Sequence, residues 1–206
     1  MEATHGLNRD RRSPERRVSR SHGWKWPLKY AMAMKPFPKG MEEEKLMSLF
    51  AQAEDLGLRL ELTDGGITWE TFPGFRHQEI IRDILVASTS GRTSERGCEC
   101  IQVPDVDIVF PDGTVKRPDL SVWCKRPEEL EGFVHAVPEA VIEIVSPGYE
   151  DKDLVFGPPI FLRNGVKDII VFDRTKEEVH HWSPAGYRIV PSPTVFELAC
   201  GCQVTV

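Results

Sequence analysis

The sequence predicts an α+β domain built around a mixed sheet, and three observations support this. Two amphipathic helical segments frame a run of short strands without the strict strand–helix alternation of a doubly wound fold. One of those strands is apolar on both faces, which marks a central position. The chain, 206 residues with 40% apolar content, suffices for one core of ordinary size. The expected organisation is a basic, disordered arm over residues 1–40 followed by a single domain over 41–206.

Each element has its own signature. Residues 41–57, "MEEEKLMSLFAQAEDLG", place Leu46, Leu49, Phe50 and Ala53 at helical spacing, with acids in the first turn and Gly57 as a stop. Leu58, Leu60 and Leu62 then alternate with Arg59, Glu61 and Thr63 before Asp64-Gly65-Gly66, the pattern of a hairpin. "FRHQEIIRDILVAS" puts Ile80, Ile81, Ile84 and Leu85 on one face of a second helix. A Gly/Ser/Thr-rich loop covers 88–97. Short strands follow at "DVDIVF", "PDLSVW", "AVIEIV" and "KDIIVFD", and "EVHHW" with "GYRIV" forms a closing hairpin.

Charge is distributed unevenly. Residues 1–40 carry ten Lys/Arg and three Asp/Glu, whereas the remainder carries sixteen basic and twenty-nine acidic residues. The arm reads either as a solvated tail or as a clamp on nucleic-acid phosphate, with Trp24 and Trp26 free to stack on bases. No apolar stretch approaches the ~20 residues that span a bilayer, and no secretory signal pattern is present. The odd cysteine count argues against a disulfide framework. A cytoplasmic protein is therefore expected.

Two carboxylates stand out. Asp119 shares a strand face with Ser121 and Trp123, and Glu143 shares one with Val141 and Val145 in an otherwise apolar strand. Burying a lone carboxylate there costs several kcal/mol, so a cation or hydrogen-bond donors must meet it. Two strands each bringing one acid to a shared point suit a hard divalent cation such as Mg²⁺. A structural pair is the alternative, with Glu143 on a backbone amide or an arginine and Asp119 capping its strand.

"RPDLSVW" and "VIEIVSP", with "RNGVKDIIVFD" and the upstream "HQEIIRDIL", together resemble the Uma-two family (domain of unknown function 820) of restriction-endonuclease-like proteins, within the PD-(D/E)xK nuclease superfamily. The likeness runs from about Met41 to Val190. It implies a restriction-endonuclease-like core and a nuclease that hydrolyses DNA phosphodiester bonds with Mg²⁺ or Mn²⁺. Asp119, Glu143 and the backbone carbonyl of Ile144 are the implied metal ligands. Glu61 matches the family's acid in the early hairpin, although an exposed charge beside Arg59 is the plainer reading. His77 matches a helix-opening histidine, with a packed or capping role as the plainer reading.

The sequence also departs from that pattern. The motif lysine two residues after the glutamate is Val145 here. The helical position that often supplies a substitute is Gly157, followed by Pro158 and Pro159, which together predict no helix through 153–159. Lys152 is the nearest replacement for the missing cation; a solvated loop lysine is its plainer reading. Lys116 and Arg117 are candidates for contacting phosphate. With an acidic body, a basic arm or a groove formed by a homodimer has to attract the DNA. The alternative to an enzyme is a nuclease-fold module with a binding or regulatory role and no catalysis. Separately, Cys98, Cys100, Cys200 and Cys202 form two C-x-C pairs, which either hold zinc or are buried thiols.

Overall fold

The computed structural model describes residues 42–88, 97–129 and 131–206. The basic arm of 1–40, Trp24 and Trp26 included, lies outside the described residues, as does most of the loop expected over 88–97.

Helix α1 (Glu43–Asp55) begins with Glu43 and Glu44, where acids meet the positive end of the helix dipole, and buries Phe50 and Ala53. The hairpin of β1 (Leu58–Thr63) and β2 (Gly66–Thr71) turns through Asp64 and Gly65, both at positive φ. Helix α2 (Phe75–Ala87) buries His77, Ile81 and Ile84 along one stripe. These elements match the sequence pattern because each depends only on short-range periodicity.

The strands form two larger sheets and a two-stranded terminal one. Of the larger two, the smaller runs β2-β1-β5-β4, where β4 is Ile108–Val109 and β5 is Val115–Lys116. The larger has six strands. Along it lie β3 (Ile101–Pro104), β6 (Leu120–Trp123), β7 (Ala140–Ile144), β8 (Asp168–Asp173), β9 (Glu178–Ser183) and β10 (Gly186–Pro191). Only β7 and β8 pair in parallel, so the sheet is mixed, as expected. That parallel step needs a crossover, which residues 145–167 provide.

Strand β7 is buried on both faces and sits between β6 and β8. Ala140, Ile142 and Ile144 join a cluster with Ile81 and Ile84 of α2 and with Phe196 and Val204 of a small terminal hairpin, β11 (Val195–Glu197) and β12 (Gln203–Thr205). Val141 and Val145 face the other way, packing with Trp123, Ile169, Val171 and Phe161. Val145, which stands at the motif lysine's position, is thus part of the core.

Two expectations are corrected. A helix does run through 153–159: a π-helical turn, Lys152–Phe156, leads directly into α3 (Gly157–Arg163). Pro158 and Pro159 fall in its first turn, where a missing N–H leaves no intrahelical bond unmade. Two disulfides are also present, Cys98–Cys124 and Cys100–Cys202. Spacing along the chain could not show that sulfurs 26 and 102 residues apart meet.

Buried hydrogen bonds to Asp168 fasten the terminal hairpin to the sheet. Asp168 Oδ1 lies 2.8 Å from His181 Nε2, and its Oδ2 accepts the Ala199 N–H at 2.7 Å. Replacing Asp168 by alanine leaves both donors buried without that acceptor. Asp168→Ala should therefore lose about 3 kcal/mol in chemical denaturation. Glu197→Ala, at an exposed position of β11, should stay within about 0.5 kcal/mol of the parent.

Candidate active site

Strands β6 and β7 pair antiparallel with Leu120 opposite Ile142 and Ser121 opposite Val141. One further step in that register sets Asp119 opposite Glu143. The two residues then brace each other: the Asp119 N–H donates to Glu143 Oε2 at 3.1 Å, and the Ile144 N–H donates to Asp119 Oδ2 at 2.8 Å. His77 on α2 brings Nε2 to 2.9 Å from Asp119 Oδ1, close enough for an ion pair though misaligned for a hydrogen bond. Its Nδ1 lies 3.4 Å from Ser146 Oγ.

A cleft of about 420 Å³ opens beside this pair, lined by Glu70, His77, Asp119, Glu143, Lys152 and Asp153 among others. The small sheet supplies its second wall. Leu62 pairs with Val115, so the same register sets Glu61 across from Lys116. Lys116 Nζ meets Glu61 Oε2 at 2.7 Å with both side chains buried. Lys152 reaches over from the crossover, placing Nζ 2.7 Å from Glu70 Oε2 and 3.6 Å from Glu61 Oε1.

The π-helical turn explains how this lysine arrives. The Gly157 N–H donates to the Lys152 carbonyl, five residues back. Lys152 therefore sits one turn ahead of the position where a helical lysine was sought. A Cβ on Gly157 would lie 3.1 Å from that same carbonyl, so a side chain there would crowd the turn.

Electrostatics divide the acids into two groups. Burial works to raise the Glu61 carboxyl, but Lys116 and Lys152 outweigh it and hold the pKa at about 2. Burial likewise opposes the charge on Lys152, yet Glu61, Glu70, Glu143 and Asp153 raise its pKa above the ordinary lysine value. Glu143 is pushed well above the usual carboxylate range by burial and by the charges of Asp119 and Asp153, against which Lys152 is a lesser effect. Burial and the neighbouring acids push Asp153 up to about 7. The Asp119 end of the cleft thus gathers oxygen donors whose negative charge is incompletely neutralised. Such a donor set fits a hard divalent cation, with Asp119, Glu143 and the Ile144 carbonyl as the available protein oxygens.

The fold brings together Asp119, Glu143, Ile144, Glu61 and Lys152. Glu61 is buried rather than an exposed charge, and Lys152 is paired in the cleft rather than solvated. Lys116 and Arg117 do not present free cations to phosphate. The Lys116 ammonium is committed to Glu61, and Arg117 is tied to Glu54, to Asp105 at 3.1 Å and to Asp107 at 3.7 Å. Glu70 and Asp153 escaped sequence reasoning. Glu70 could have been found, because a tight turn at Asp64-Gly65 fixes the hairpin register that pairs it with Arg59. Asp153 carries no such signal, since only the π-helical turn directs it inward.

A six-stranded mixed sheet carrying paired acids at the ends of adjacent strands is the restriction-endonuclease-like fold. The Uma2 family model, described as "Putative restriction endonuclease", matches residues 47–199, and the chain belongs to that family. The crystal structure of a "putative nuclease belonging to DUF820" from Anabaena variabilis ATCC 29413 has a TM-score of 0.56 at 16% identity, covering 79% of this chain and 92% of that one. At this identity the likeness bears on the fold alone. No curated protein matches the chain.

The Glu61–Lys116 pair is testable through stability. Glu61→Gln leaves the buried Lys116 charge without its partner and should cost about 3 kcal/mol, read from denaturant midpoints. Adding Lys116→Met should restore much of that loss. Because the folded pKa of Glu61 lies below its unfolded value, its contribution is present above about pH 4.5 and disappears as the pH falls toward about 2. Glu61→Gln should therefore flatten the acid limb of the stability profile.

Proposed function

We propose that this chain is a divalent-metal-dependent nuclease that hydrolyses DNA phosphodiester bonds in the Asp119–Glu143 cleft. The observation that carries this reading is the cross-strand pairing of the two acids beside a half-buried ammonium, Lys152, drawn from outside the usual motif position. Asp119, Glu143 and the Ile144 carbonyl hold the ion, Mg²⁺ or Mn²⁺. When bound, that ion supplies Lewis-acid stabilisation of the phosphate and makes water a better nucleophile.

The chain's own groups do the rest. The Ile144 N–H fixes the orientation of Asp119, with His77 Nε2 lying against the same carboxylate, so Asp119 does not have to reorganise on binding. Lys152 orients the attacking water and offsets charge growing on the phosphate oxygens. Glu61 and Glu70 position Lys152 and keep it charged. Since residues 41–206 are acidic, the arm or a second copy of the chain supplies the positive surface that holds DNA.

A second reading, a nuclease-fold module that binds without cutting, draws on one specific observation: both acids nearest the Lys152 ammonium are already paired with it. Calorimetric titration with Mn²⁺ and a cleavage assay on supercoiled, linear and single-stranded DNA separate the two. The nuclease reading predicts metal binding that is lost in Asp119→Asn and Glu143→Gln, with cleavage down at least about a hundredfold in both. Lys152→Ala should retain metal binding and lose cleavage about a hundredfold. Metal binding in the parent with no cleavage of any DNA form would favour the second reading. Metal binding that survives loss of both acids would remove the site assignment.

A further inference from the structure

All five cysteines of the chain converge on one buried point at the far end of β6 from Asp119. Cys98 and Cys100 lie just before β3, Cys124 directly follows β6, and Cys200 and Cys202 flank the turn of the terminal hairpin. Cys98, Cys100 and Cys202 are at most 2% exposed, and Cys200 is 8% exposed. Two disulfides account for four of these sulfurs. They leave two facts unexplained: Cys200 belongs to neither bond yet shares the point, and Cys98 and Cys202, which are not bonded to each other, hold their sulfurs 3.3 Å apart. The sulfurs of Cys98, Cys200 and Cys202 all lie within 4.8 Å of one another.

We propose that, in the reduced chain, Cys98, Cys100, Cys200 and Cys202 form a closed tetrathiolate zinc site that fastens the terminal hairpin to the sheet. Zinc–thiolate bonds of about 2.3 Å in a tetrahedron set the sulfurs ~3.8 Å apart, a spacing within the 4.8 Å that encloses the sulfurs of Cys98, Cys200 and Cys202. The backbone is shaped for it. Cys100 sits at φ +53° and Gly201 at φ +87°, so each C-x-C pair folds tightly enough to aim both sulfurs at one point. Bonds from the Gly201 N–H to the Leu198 carbonyl and from the Leu198 N–H to the Cys202 carbonyl, both 2.8 Å, hold the second turn closed. The fifth sulfur, on Cys124, is only partly buried and has no C-x-C neighbour, so it stands outside the ligand set.

Redox state governs the site. Each disulfide takes two electrons and two protons from a dithiol reductant to give two thiols. The four ligand thiols then release their protons to solvent as zinc binds. Four protein ligands leave no position for water, so the role is structural and separate from the acid cleft.

The test uses the full chain, reduced with a dithiol, supplied with zinc and desalted. Elemental analysis should find about one zinc per chain, and cobalt substitution should give the visible absorption of a tetrahedral thiolate centre. Alkylation followed by peptide mapping needs no variant: zinc should protect Cys98, Cys100, Cys200 and Cys202 and leave Cys124 reactive. Cys124→Ser should keep the metal, whereas Cys200→Ser should lose it. Less than about 0.1 zinc per reduced, folded chain would overturn the proposal, as would protection of all five cysteines or of none.

Discussion

The site depends on a strand register. With Leu120 fixed opposite Ile142, Asp119 has nowhere to lie but against Glu143, and the backbone N–H groups of Asp119 and Ile144 are spent on holding the two carboxylates together. A slip of β6 by one residue would turn Asp119 to the opposite face of the sheet, away from Glu143. The hydrophobic pattern that builds the sheet therefore also sets the spacing of the acids. Packing and chemistry are specified by the same residues.

Around that pair the molecule keeps charge in a deliberate imbalance. Glu61 and Lys116 neutralise each other in the small sheet, and Lys152 is shared between Glu61 and Glu70. Glu143 and Asp153 receive no comparable partner and are pushed toward protonation by burial and by the acids around them. The fold thus sustains one satisfied cluster and, a few ångströms further, one that improves on meeting a cation. The acid cluster is costly to the apo fold, and that cost is what gives an incoming ion something to relieve.

Much of this was legible in the sequence, and the exceptions have physical causes. Helices α1 and α2 and the hairpins β1–β2 and β9–β10 declare themselves by local periodicity, and the two-sided apolar run at Ala140–Ile144 gives away the centre of the sheet. Asp119 and Glu143 were visible as acids in strands. Strand β3 and the terminal hairpin β11–β12 passed unnoticed because they are short and gain their stability from partners distant in sequence. Gly157-Pro158-Pro159 was misread because breaker residues were judged against an α-helix, whereas a π-helical turn followed by prolines in the first helical turn accepts them. The burial of Glu61 and Lys116 is a pairing between neighbouring strands of the small sheet, far apart in sequence, and nothing along one strand announces it.

The anchoring of Lys152 has a wider meaning. A lysine side chain is long enough that its point of attachment and the place where its charge acts are separable, and a single extra residue in a helical turn shifts the one while sparing the other. Fixed-interval patterns therefore track the wrong quantity: they record where a residue is anchored along the chain. One position for an ammonium can thus be reached from more than one anchor along a chain.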